Sequence, residues 1–219
     1  MERFTSFDFG LTGLAALFHQ DWAHLGSVEG VAFAYLSVGQ ELVASKSLQQ
    51  EAAALEHDVV VLIDSPLGDS QIELLWTMAT GGNYRFNAPE KGRHFLWRVS
   101  TACRQWQQSY GGVPVDVDPL WSTSSVASSV CEVIAAASFA FPDGGRSEAQ
   151  QSDVKRLRQS LESCARSASP ELAFRLLLRI YLSNFLPVDR SSWARYQKLA
   201  AVFSFGDYLL SGLDFLVDD

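Results

Sequence analysis

Apolar positions recur along this chain at intervals of three and four, and no period-two alternation long enough to build a hairpin interrupts them. The densest stretch is Leu14–Trp22, LAALFHQDW. On a helix, Leu14, Leu17, Phe18 and Asp21 share one face, with Leu25 a turn further on. His19 falls on the far side, and Gln20 and Trp22 flank the stripe. Asp21 therefore lies among apolar neighbours, where a carboxylate needs partners. Two roles fit it: a structural one, accepting hydrogen bonds from a neighbouring helix N-terminus, or a place in a recognition site. The spacing favours the structural one. Trp22 is open to two uses as well, as core or as a binding anchor, with core favoured.

The helical rhythm continues. Val31–Leu36, VAFAYL, reads as helix. Ser45 or Ser47 caps a helix running to about Ile63, with Leu48, Ala52, Leu55 and Val59 inward and Glu51, Glu56 and Asp58 off the stripe. Asp64-Ser65-Pro66 ends it, since the residue before proline avoids helical geometry. Asp69 is placed to cap a helix through Ala79, with Ile72, Leu75 and Trp76 inward, and Gly81-Gly82 stops that helix. Asn83–Arg93 reads as a loop, and His94–Trp106 as an amphipathic helix on Phe95, Val99, Ala102 and Trp106.

Tyr110–Pro119, YGGVPVDVDP, is a turn-rich connector that divides the chain into units 1–110 and 120–219. Leu120–Phe141 carries Val126, Val130, Val133, Ile134 and Ala137 near helical spacing. Pro142–Asp153 reads as a linker. Asp153 then caps a helix with Val154, Leu157, Leu161 and Cys164 inward and Lys155, Arg156 and Arg158 in solvent. Ser169-Pro170 opens the next helix, whose body is apolar around most of its circumference apart from Arg175 and Arg179. It is the expected buried centre of the second half. Ser191–Phe203 and Asp207–Val217 add two helices, broken at Phe205-Gly206. The fold class expected is all-α, a multi-helix bundle of one or two packed subdomains.

Composition adds a charge asymmetry. The net charge is −8 over 219 residues, yet residues 1–84 hold 11 acids against two bases, Arg3 and Lys46. Such a field attracts a basic partner and repels nucleic acid. No apolar run reaches membrane-span length, no basic amphipathic helix suits a membrane surface, and MERFTSFDFG lacks the pattern of a signal peptide. A cytoplasmic protein is expected. Cys103, Cys131 and Cys164 are read as free buried thiols, and no metal or cofactor motif is present.

The string LFHQDW at Leu17–Trp22, with Leu14 completing a Leu-x-x-x-Phe-His-Gln-Asp-Trp pattern, resembles the start of the immunity proteins of bacterial contact-dependent growth inhibition. Glu51–Phe86 and Phe95–Trp106 continue the likeness over about the first half. The resemblance implies a cytosolic antidote without catalytic residues or cofactor. Its partner is the C-terminal toxin domain of a contact-delivered effector, commonly a nuclease with a cationic groove. Phe18, Asp21 and Trp22 are then the structural signature. The acidic first half supplies the expected toxin-binding residues: His19, Gln20, Glu29, Glu41, Asp69 and Glu73, with Tyr84 and Arg85 on the loop. Two other classes fit the same chain, a helical adaptor unrelated to toxins and a small hydrolase built around a histidine.

Overall fold

The computed structural model describes residues 8–19, 21–37, 45–110, 124–141, 148–206 and 208–218. It is all-α: among the described residues there are ten helices and no strand. They are α1 (Gly10–Ala16), α2 (Val28–Ser37), α3 (Ser45–Asp64), α4 (Asp69–Ala79), α5 (Gly92–Tyr110), α6 (Ser124–Ala136), α7 (Glu148–Ser167), α8 (Pro170–Ser183), α9 (Arg190–Val202) and α10 (Tyr208–Ser211). Among the described residues there are also one-turn helices at Trp22–Leu25 and Asp214–Leu216. No helix among the described residues is long and apolar enough to cross a membrane.

Helix α5 lies between α2 and α3, and α1 packs on α3. Helices α6, α7 and α8 form a second group, and α4 touches α5 on one side and α7 and α8 on the other. The buried side chains form one continuous cluster from Phe9 to Leu216. The two halves, 1–110 and 120–219, thus share a core, while most of the expected boundary at Tyr110–Pro119 lies outside the described residues. Helix α8 is the hub: Leu172, Phe174, Leu177, Ile180 and Tyr181 are all buried. Its start follows from sequence, with Ser169 Oγ accepting from Leu172 N at 3.1 Å and Pro170 at the first helical position.

Arg175 projects from α8 into this core and closes an ion pair with Asp58 of α3 at 2.6 Å. Its Nη1 donates to the Phe9 carbonyl at 2.9 Å, and the guanidinium lies 4.2 Å from the Phe9 ring centroid. The second Asp58 oxygen accepts from Leu11 N at 2.8 Å, so one carboxylate meets both α1 and α8. Gly10, at φ +60°, permits this approach, because a Cβ there would collide with the Asp58 carboxylate. The sequence pattern put Asp58 off the buried stripe; the cation that reaches it comes from a distant helix, which α3's own periodicity does not record.

Several expected boundaries shift for identifiable reasons. Helix α5 begins at Gly92 rather than His94, because Asp69 Oδ1 accepts from Arg93 N at 2.9 Å and Glu73 Oε1 from Gly92 N at 3.1 Å. Asp69 therefore caps α5 from outside, and Gly68 holds the N-cap position of α4. Arg93 in turn donates to the carbonyls of Ile63, Ser65 and Leu67 at the end of α3. Helix α7 begins at Glu148, so Asp153 lies inside it and pairs with Arg156. Arg158 is half-buried rather than solvated, donating to Ala137 O at 2.9 Å beyond the end of α6. The expected Asp207–Val217 helix is only Tyr208–Ser211 followed by the turn at Asp214–Leu216, and Asp207 itself lies outside the described residues.

Candidate functional site

The largest departure concerns LAALFHQDW. Helix α1 stops at Ala16, and Leu17 N and Phe18 N bond three residues back, to the carbonyls of Leu14 and Ala15. Phe18 then leaves the helical path and fills a space among Trp76, Tyr84 and Phe95, its ring centroid 5.2, 5.4 and 6.4 Å from theirs. Trp22 closes the cluster, 5.1 Å from Phe18 and 5.4 Å from Tyr84, with Nε1 donating to Asn83 O at 2.9 Å. Aromatic burial here outweighs continuation of the helix. The stripe that would have enclosed Asp21 is therefore not formed. Asp21 is exposed, and its side chain makes no cap on the turn that follows. The expected structural role of Asp21 is corrected on that ground, whereas Phe18 and Trp22 pack as the sequence suggested.

His19 is exposed beside Phe18, and its Nδ1 accepts from Asp21 N at 3.2 Å. It stands on the wall of a cleft of about 270 Å³ whose other walls include Asn83 after α4 and Arg179, Ser183 and Phe185 around the end of α8. The ends of α4 and α8 meet here. Ser183 Oγ donates to Ala79 O at 2.6 Å and Asn184 Nδ2 to Met78 O at 2.8 Å. Gly81, at φ +60°, allows the contact, since a Cβ would lie 2.7 Å from the Ser183 carbonyl. Arg179 faces Asp8 at 3.9 Å and Ala79 O at 3.4 Å. Desolvation lowers its pKa from the usual arginine value.

Phe185 forms the outer lip. It follows α8 in the left-handed region at φ 51°, while Leu186 N reaches back to Tyr181 O at 3.0 Å. Glycine is the usual occupant of this position, and a side chain there costs about 1 kcal/mol. The ring is 68% exposed and lies 6.4 Å from that of Phe215, itself 64% exposed.

Compared with family models, with curated proteins and with solved structures, the chain matches none.

The other expected binding residues divide by what already holds them. Glu29 accepts two hydrogen bonds from Arg98, at 2.6 and 2.7 Å, and that guanidinium draws its carboxyl down to about 2. Arg98 also holds Glu90 at 2.8 Å, and Glu90 accepts from the Tyr84 hydroxyl at 2.6 Å. Tyr84 is thus a buried link between the aromatic cluster and this ion-pair chain rather than a loop residue open to a partner. Burial, then the hydrogen bond to Glu90, raises the Tyr84 pKa. Asp69 and Glu73 are engaged at the start of α5, as above. Arg85 is exposed. Gln20 and Glu41 lie outside the described residues. Of the expected residues that are described, only His19 lines the cleft, with Phe18 of the signature beside it. Phe185 escaped the sequence reading because an apolar residue at a helix end reads as core. Its one available signal was the missing glycine after a helix that ends at Ser183-Asn184. No group of three or more metal-binding side chains occurs among the described residues.

Proposed function

We propose that this protein is an immunity protein of contact-dependent growth inhibition. In this reading it is a cytoplasmic antidote that binds the C-terminal toxin domain of a contact-delivered effector one to one and turns over no substrate. The observation that carries the reading is the placement of Phe18, His19, Asp21 and Trp22, which belong to the stretch that resembles the family's opening. Its two rings seat in the aromatic cluster, and His19 and Asp21 are exposed, His19 on the wall of the cleft. The net charge of −8 supports it, since a nuclease toxin offers a basic groove to an acidic inhibitor.

Co-expression with the toxin domain encoded beside this gene tests the reading. Growth protection and a stable complex on co-purification are expected. A toxin that still kills, with no complex recovered, overturns it, as does a substrate turned over by the isolated chain.

A further inference from the structure

Most described carboxylates of this chain already hold something: Arg98, Arg175 or Arg104, or the amides at the start of α5 and α9. Among the described residues, the carboxylates of Asp21, Asp64, Glu132, Asp214 and Asp218 make no hydrogen bond or ion pair. Two of these five, Asp214 and Asp218, are exposed and flank the exposed Phe215 in sequence, and Phe215 pairs with Phe185, which lines the cleft with His19. The sole cation lining that cleft among the described residues, Arg179, faces Asp8.

The same face carries two choices that the fold alone does not require. A phenylalanine holds the left-handed position at the end of α8, and two phenylalanine rings stand mostly in water. The platform is also fixed: Val188 N donates to Leu216 O at 2.8 Å and Asp218 N to Val188 O at 3.0 Å, clamping the segment of Phe215 to the one after Phe185. Rigid exposed aromatics with unengaged acids flanking Phe215 in sequence match a basic surface, with an arginine or lysine laid over the rings.

We infer that Phe185 and Phe215, with the flanking Asp214 and Asp218, form the docking surface for a basic protein partner. The inference rests on the immunity reading, which names that partner as the toxin domain, and it moves the contact from the acidic first half to the end of α8 and the C-terminal segment.

Titration calorimetry of the full chain against the purified toxin domain encoded beside its gene tests it, with F185G, F215A, D214K and, as a control away from the face, E132K. F185G and F215A are expected to weaken binding at least tenfold while melting no more than a few degrees from wild type. D214K is expected to slow association, and E132K to stay within twofold of wild type. Wild-type binding with F185G and F215A within twofold of it overturns this surface and leaves the immunity reading standing. Equal losses in D214K and E132K overturn it too, since overall charge then accounts for them. A wild-type chain that binds no toxin overturns the function reading, and the occupant named here falls with it.

Discussion

Arg175 and Asp58 meet at 2.6 Å in the core, 117 residues apart, each side chain only 2% exposed. Arg175 Nε faces Glu171 at 3.6 Å, beyond hydrogen-bond length, so the pair with Asp58 is the principal support of the buried charge. Breaking one side of such a pair leaves the other uncompensated. Arg175→Met is expected to lower unfolding free energy by about 3–5 kcal/mol in urea titrations. The double variant with Asp58→Asn is expected to lose less than the two single losses combined.

The Glu29–Arg98 pair predicts an acid dependence. The folded-state pKa of Glu29 is depressed, from 4.5 to about 2, chiefly by the Arg98 hydrogen bonds. Its contribution is therefore present above pH 4.5 and is lost as pH falls toward 2. Both side chains are partly solvated, which limits the pair to about 1 kcal/mol. Glu29→Gln is expected to be less stable than wild type at pH 7 and to converge with it only as pH falls through about 2. Urea midpoints across that range check it.

Phe185 predicts a substitution that strengthens the fold. Glycine at this left-handed position relieves about 1 kcal/mol of backbone strain. In a chain of this length that corresponds to a rise of about 2–4 °C in Tm. Differential scanning calorimetry of F185G measures it; a melting temperature below wild type contradicts the strain argument.

Cys103 and Cys164 are fully buried, and burial pushes each thiol up to about 12. Neither is expected to react with a thiol reagent at pH 7 while the chain is folded. Labelling rates followed with increasing urea are expected to track unfolding. Fast labelling of either residue in native buffer contradicts the burial.

Asp69 and Glu73 act on the helix they cap rather than the one that carries them. Alanine at Asp69 is expected to cost about 0.5–2 kcal/mol, as for other lost caps, with early amide exchange at the start of α5. Hydrogen exchange localised to residues after Gly92 checks it.

Local pattern carried much of the fold. The apolar spacing of α3, α4, α5 and α8 announced both helix and inward face, and Ser169-Pro170 marked a true start. What escaped was non-local. Asp58 looked solvated because its partner is on α8, and Asp69 looked like a cap for α4 because the helix it serves begins at Gly92. Phe18–Trp22 looked helical because residue spacing cannot register a three-ring socket contributed by α4, α5 and the loop between them. Of the site, the sequence flagged His19 and missed Phe185, since exposure of an apolar ring at a chain reversal leaves no periodic trace.

The joint at Asp58 also sets an order of events at the ribosome. α1 and α3 emerge early, but the guanidinium that fastens them together is translated only with α8. Helices α1 and α3 therefore wait, their carboxylate without its buried cation, for a residue 117 positions on from Asp58. A chain cut short before α8 lacks the clasp that gathers α1 onto α3.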